Sequence, residues 1–105
     1  MTNEARVFNV GPADRIPLGE GRNVEVDGES VAVFRTRAGD LYAVQATCPH
    51  RGGPLADGLV GGSRVVCPLH SYAFSLADGS CHNGDYAVRT YTVREEAGEI
   101  VVEGG

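Results

Sequence analysis

Residues 48–70 read CPHRGGPLADGLVGGSRVVCPLH, and the way this segment is understood decides how the rest of the chain is read. The whole sequence has three cysteines and three histidines, and two of each stand here: Cys48 with His50 at one end, Cys67 with His70 at the other. Cys48 and His50 are two residues apart, a spacing that sets both side chains on one side of an extended segment. Cys67 and His70 are three apart, which suits a tight turn leaving a strand, with Pro68 fixing the backbone after the cysteine. Two half-sites of mixed type, with sixteen residues between them, can therefore face each other across a hairpin.

Two thiolates and two imidazoles can hold zinc or share a two-iron cluster. Zinc modules usually group like ligands, a cysteine pair followed by a histidine pair, whereas each half-site here contains one of each. The interleaved order lets one loop give a cysteine to one iron and a histidine to the other, with the second loop doing the same. Both metals remain open on donor type alone.

Outward from this segment the chain changes character. Between residues 47 and 85 glycine and proline crowd together with all the cysteines and histidines, which predicts a small subdomain of two loops flanking a short hairpin. On either side, short runs rich in Val, Tyr, Phe and Thr alternate with turn signals, and no stretch keeps a 3.6-residue apolar period for three turns. The pattern predicts an all-β domain with strands at Arg6–Val10, Arg22–Val26, Ser30–Thr36, Leu41–Ala46, Arg64–Cys67, Tyr72–Leu76, Ala87–Arg94 and Glu99–Glu103. Turns are expected at Asp27-Gly28, Ala38-Gly39-Asp40 and Glu95-Glu96-Ala97-Gly98, and a short 3₁₀ turn at Pro12–Arg15. At 105 residues this is one domain, 1–105, with the loop-rich subdomain at about 47–85 inside it.

The motifs CPH and CPLH resemble the Cys-x-His…Cys-x-x-His signature of Rieske proteins, and GGPLADG and FSLADGS resemble the turns that bracket the cluster in their ferredoxin-type members. The likeness covers most of the chain and is most specific from Ala43 to Val93. It implies a Rieske-type antiparallel β-sandwich or barrel with an inserted cluster-binding subdomain. It also implies a [2Fe–2S] cluster held by Cys48, His50, Cys67 and His70, the two histidines sharing one iron. Neutral imidazoles in place of two thiolates make the centre less negative and raise its potential. Gly52, Gly53, Gly61 and Gly62 let backbone N–H groups approach the sulfurs, although for Gly61 and Gly62 a turn requirement serves equally well. Respiratory members carry an extra cysteine after each box and hydroxyl residues aimed at the sulfurs. Here Arg51, Gly52 and Gly53 follow the first histidine, Leu69 precedes the second, Phe74 stands where those proteins have tyrosine, and Ser71 is the remaining hydroxyl. The expected potential is near the low end of the Rieske range, about −150 mV.

A bare cluster domain carries electrons and leaves catalysis to a partner. The segments CPHRGGPLADG, VVCPLH and DYAVRTYTV are similar to those of the small subunit of assimilatory NAD(P)H-dependent nitrite reductase, which assists a large flavin- and siroheme-bearing subunit. Ser71 and Ser75 depart from that pattern, and the tail from His82 lacks the usual proline. The ferredoxin component of aromatic-ring dioxygenases, working between a reductase and an oxygenase, is the alternative. A zinc-stabilised binding module is the alternative of another class.

Other residues invite chemistry but have simpler accounts. Cys81 and His82 are adjacent, so on extended backbone they point to opposite faces, which predicts a packed cysteine and an exposed histidine. Tyr72, Phe74 and Leu76 alternate along a strand and read as core. Arg89 and Arg94, with Tyr91 between them, read as a solvated strand face. The net charge of −5 and the lack of a basic cluster argue against nucleic acid, and no run of about 20 apolar residues is available to span a membrane. The start MTNEARVFNV has no signal-peptide pattern, and the cysteine count is odd, so a cytoplasmic setting with thiols available for metal is expected.

Overall fold

In the computed structural model the described residues are 6–48, 54–67, 72–82, 84 and 86–104. Nine strands form two antiparallel sheets among them. The larger, half-barrel sheet runs in the order β1-β9-β8-β4-β3-β2, from β1 (Arg6–Pro12), β2 (Glu20–Val26), β3 (Glu29–Arg35), β4 (Leu41–Gln45), β8 (Thr90–Glu96) and β9 (Glu99–Gly104). The smaller sheet, β5 (Leu59–Gly61), β6 (Arg64–Val66) and β7 (Ala73–Ser75), lies in sequence between β4 and β8. Those two strands are neighbours in the larger sheet, with Ala43 opposite Tyr91 and Val44 opposite Thr90.

The sequence of β3 explains the layering. Val31, Ala32, Val33 and Phe34 are all fully buried, which a one-sided strand could not achieve. Alternation sends Val31 and Val33 into one core with Ala13, Ile16, Val26, Ala43, Ile100 and Val102, the interior of the half-barrel. Ala32 and Phe34 enter a second core with Val44, Leu55, Val65, Phe74, Leu76 and Val88, between the outer face of the sheet and the inserted segment. A 3₁₀ turn stands at Ala13–Arg15, within the expected Pro12–Arg15 but with Pro12 ending β1, and its Ala13 N–H donates to the Gly98 carbonyl at 2.9 Å.

Hairpin geometry follows local chemistry. Asp27 and Gly28, at φ 53° and 80°, make the two-residue turn with both φ values positive that matches the right-handed strand twist. Between β3 and β4 the buried Thr36 organises the turn: its Oγ1 accepts the Asp40 N–H at 3.1 Å and its carbonyl accepts the Gly39 N–H at 2.9 Å.

Several sequence expectations need correction. The turn after β8 is only Ala97-Gly98, at φ 53° and 81°, so Glu95 and Glu96 belong to the strand. Strand β2 begins at Glu20, two residues before the expected start. Strand β5 and the 3₁₀ turn Leu55–Asp57 lie where loop was expected, so the hairpin of the insertion is a three-stranded sheet. The expected strand Ala87–Arg94 divides: Ala87 bridges Ser80, Val88 donates to the Gly79 carbonyl at 2.8 Å, and only from Thr90 does the chain rejoin the half-barrel as β8.

Candidate metal centre

Backbone pairing brackets three segments of the insertion at their ends. The first, spanning 48–53, is bounded by the bridge of Thr47 with Pro54 and by the Leu55 N–H donating to the Ala46 carbonyl at 2.9 Å. Leu55 then buries its side chain completely in the second core, which anchors the exit of the loop. The second loop is closed by the Cys67 N–H donating to the Tyr72 carbonyl at 2.8 Å, one step beyond the Val66–Ala73 pair. The third runs from Cys81 to Tyr86, above the Ser80–Ala87 bridge, and is held to β7 by the His82 N–H donating to the Ala73 carbonyl at 2.8 Å. The rings of Tyr72 and Tyr86 meet edge to face at 5.3 Å and join the second loop to the third.

Cys48 and Cys67 stand at the bases of the first and second loops. They are 2% and 1% exposed and belong to one apolar cluster with Leu55, Val65, Phe74 and Val88. Both are thiols, with no disulfide. The structure thus brings together the two sulfur donors of the sequence motif in a setting that excludes water. His50 and His70 lie outside the described residues, as do Arg51, Gly52, Gly53, Pro68, Leu69 and Ser71. A pair of soft sulfur donors buried at two neighbouring loop bases, each followed by an imidazole within two or three residues, fits an iron–sulfur cluster of mixed ligation.

Other candidate residues take the roles that packing dictates. Cys81 is half-buried against the second core and His82 is exposed. Phe74 and Leu76 are core, with Tyr72 packed at its edge. Arg89 pairs with Glu29 at 3.4 Å, Arg94 pairs with Glu103 at 2.8 Å and with Glu96, and the Tyr91 hydroxyl donates to Glu29 at 3.0 Å. Partial burial, reinforced by Glu29, pushes the Tyr91 hydroxyl above its ordinary range. In the turn before the third loop, the Ser80 N–H and hydroxyl donate to Asp78 at 3.0 and 2.8 Å and hold its carboxyl below the usual range. Gly61 and Gly62 face open space, with Gly62 at φ 60° in the turn at the end of β6 away from Cys67, so they serve the turn and not the sulfurs.

Sequence reading missed Gln45. Its side chain donates to the Thr47 carbonyl at 2.8 Å and accepts the Arg89 N–H at 2.7 Å. The available signal was an amide ending an otherwise apolar strand three residues before Cys48.

Two buried thiols at neighbouring points of an insertion in an antiparallel half-barrel fit the class of iron–sulfur cluster domains. A model of the Rieske [2Fe–2S] domain matches residues 6–94, and the chain belongs to that family. Its cofactor is a Rieske [2Fe–2S] cluster and its chemistry is electron transfer, which displaces zinc as the metal.

Among solved structures, one from Mycobacterium tuberculosis assigned as an NADH-dependent nitrite reductase small subunit is 30% identical, superposes with a TM-score of 0.91 and is matched over 98% of both chains. The ferredoxin component of the naphthalene 1,2-dioxygenase system of Pseudomonas aeruginosa is 29% identical over 90 residues, covering 84% of this chain and 86% of that protein. The oxygenase component of 3-ketosteroid-9-alpha-monooxygenase from Mycolicibacterium smegmatis is 36% identical over 81 residues, 77% of this chain. This chain spans only 21% of that oxygenase. No helix among the described residues is long and apolar enough to cross a membrane.

Proposed function

We propose that the chain is the cluster-carrying small subunit of an NAD(P)H-dependent nitrite reductase. It would stand on the route from NAD(P)H through flavin to the siroheme where nitrite becomes ammonia. The observation that carries this reading is the match to the mycobacterial small-subunit structure, near complete on both chains at 30% identity. The partner is then the large flavin- and siroheme-containing subunit, in the cytoplasm, and catalysis belongs to that partner.

In this reading Cys48, His50, Cys67 and His70 are the ligands, and the segment from about 47 to 85 is the cluster-binding subdomain. When bound, the cluster accepts and returns one electron. The chain's own part is to bind, tune and shield. Cys48 and Cys67 would hold one iron, His50 and His70 would hold the other and remove negative charge by replacing thiolates, and Leu55, Val65 and Phe74 would keep water from the sulfurs.

Cys67→Ser is expected to abolish iron and acid-labile sulfide, and with them most NADH-dependent nitrite reduction by the complex reconstituted with the large subunit. Unchanged nitrite reduction by a cluster-free Cys67→Ser complex would refute the role. A second reading, favoured by the near full-length match to a dioxygenase ferredoxin, is shuttling between a reductase and a ring-hydroxylating oxygenase. Support of dioxygenase turnover by the wild-type chain, with no stimulation of nitrite reduction, would select it.

A further inference from the structure

Gln45, the last residue of β4, extends the β4–β8 pairing by one step through its backbone and adds side-chain bonds that the ladder does not require. Its N–H donates to the Arg89 carbonyl at 2.9 Å and its Oε1 accepts the Arg89 N–H at 2.7 Å, so backbone and side chain together clamp the point where the chain returns from the third loop. Its Nε2 donates to the carbonyl of Thr47 at 2.8 Å. Thr47 in turn bridges Pro54 across the first loop and immediately precedes Cys48.

We propose that Gln45 is a positioning residue for the cluster, holding the Thr47–Cys48 peptide plane in one orientation. The inference rests on the reading of Cys48 as a ligand. A trans peptide is rigid, so anchoring the Thr47 carbonyl on one edge fixes the direction of the Cys48 N–H on the other. That amide is the dipole attached to the first sulfur ligand, and the orientation of dipoles beside a metal changes the cost of adding an electron to it. The clamp on Arg89 gives the anchor its rigidity: with Oε1 held by a backbone N–H, the amide cannot turn to offer Thr47 its oxygen. Both ends of the amide are needed, one as acceptor and one as donor, which the carboxylate of glutamate could not supply.

The test compares wild type with Gln45→Met, which keeps length and bulk but loses donor and acceptor, and with Gln45→Asn, which is one methylene too short to span both partners. Each is purified anaerobically with ¹⁵N-labelled cysteine. Three quantities are read: midpoint potential, pulsed-EPR coupling of the reduced centre to the cysteine amide nitrogens, and Tm. The expected result is a shifted potential and an altered amide coupling in both variants, larger in Gln45→Met, at wild-type iron content and Tm. Wild-type potential and coupling in both variants overturn the proposal. A lowered Tm with wild-type potential and coupling, or loss of iron from both variants, overturns it in favour of a merely structural role. A wild-type protein lacking the [2Fe–2S] signal refutes the ligand reading itself, and this inference with it.

Discussion

At the scale of single residues, side-chain type was legible and backbone company was not. Cys48 and Cys67 announce themselves, because only a few chemistries use thiols and imidazoles at such spacings. Gly79 does not. It sits at φ 80°, and a Cβ there would lie 2.1 Å from the Val88 carbonyl oxygen, so the turn that starts the third loop can close only over a glycine. Gly39 also has a positive φ, 94°, but faces open space. Gly39→Ala should therefore cost about 1 kcal/mol from backbone strain alone, and Gly79→Ala about 3 kcal/mol, because the segment around Val88 must also move. Urea denaturation of the two variants checks this, and equal losses would show that the 79–88 pairing yields without cost. The difference was not legible from residue types, since Val88 lies across the intervening segment and its carbonyl, not its side chain, sets the limit.

At the scale of elements, β3 was the easiest to read and its reason became visible only in three dimensions. Its continuous apolar run serves two cores, with Val33 facing the half-barrel interior and Phe34 facing the cysteines. The Phe34 ring lies over Gly21 on the paired strand, where a Cβ would approach to 2.5 Å. Val33→Ala and Phe34→Leu should each destabilise by roughly 1–2 kcal/mol. Only Phe34→Leu should also speed iron release to a chelator, by loosening the apolar cluster that holds both sulfurs. Equal release rates would mean that the second core does not guard the site. Short elements were harder to read. Leu59-Val60-Gly61 is flanked by glycines and becomes a strand only by pairing with β6. The extra length of β8 rests on a positive φ at Ala97, a residue that seldom adopts one, so a wider turn was the natural expectation.

At the scale of the molecule, the all-β class and the insertion were readable from the change in composition near residue 47, whereas the division into two cores was not, because both draw on the same strands. That division predicts how the protein responds to loss of its metal. The half-barrel core contains neither Cys48 nor Cys67, while the second core contains both. Removal of iron should leave the amides of Val31, Val33, Val101 and Val102 slow to exchange with deuterium. Those of Leu55, Cys67 and Val88 should exchange at least tenfold faster, a loss of about 1.4 kcal/mol or more in local opening free energy. Uniform acceleration across both sets would show one cooperative unit instead of two.

Strands β4 and β8, which lead into and out of the insertion, are paired neighbours, with Val44 opposite Thr90 and the Gln45 N–H donating to the Arg89 carbonyl. The gap that any inserted segment has to bridge is therefore one inter-strand spacing, about 5 Å. Such a socket accepts a segment whose ends lie that close and whose apolar face covers Ala32, Phe34 and Val44 on the sheet, with no change of register in the carrier. Redox heads of different potential or partner preference could be exchanged between such carriers by cutting at this single ladder position, with Gln45 and Arg89 as the latch that travels with the socket.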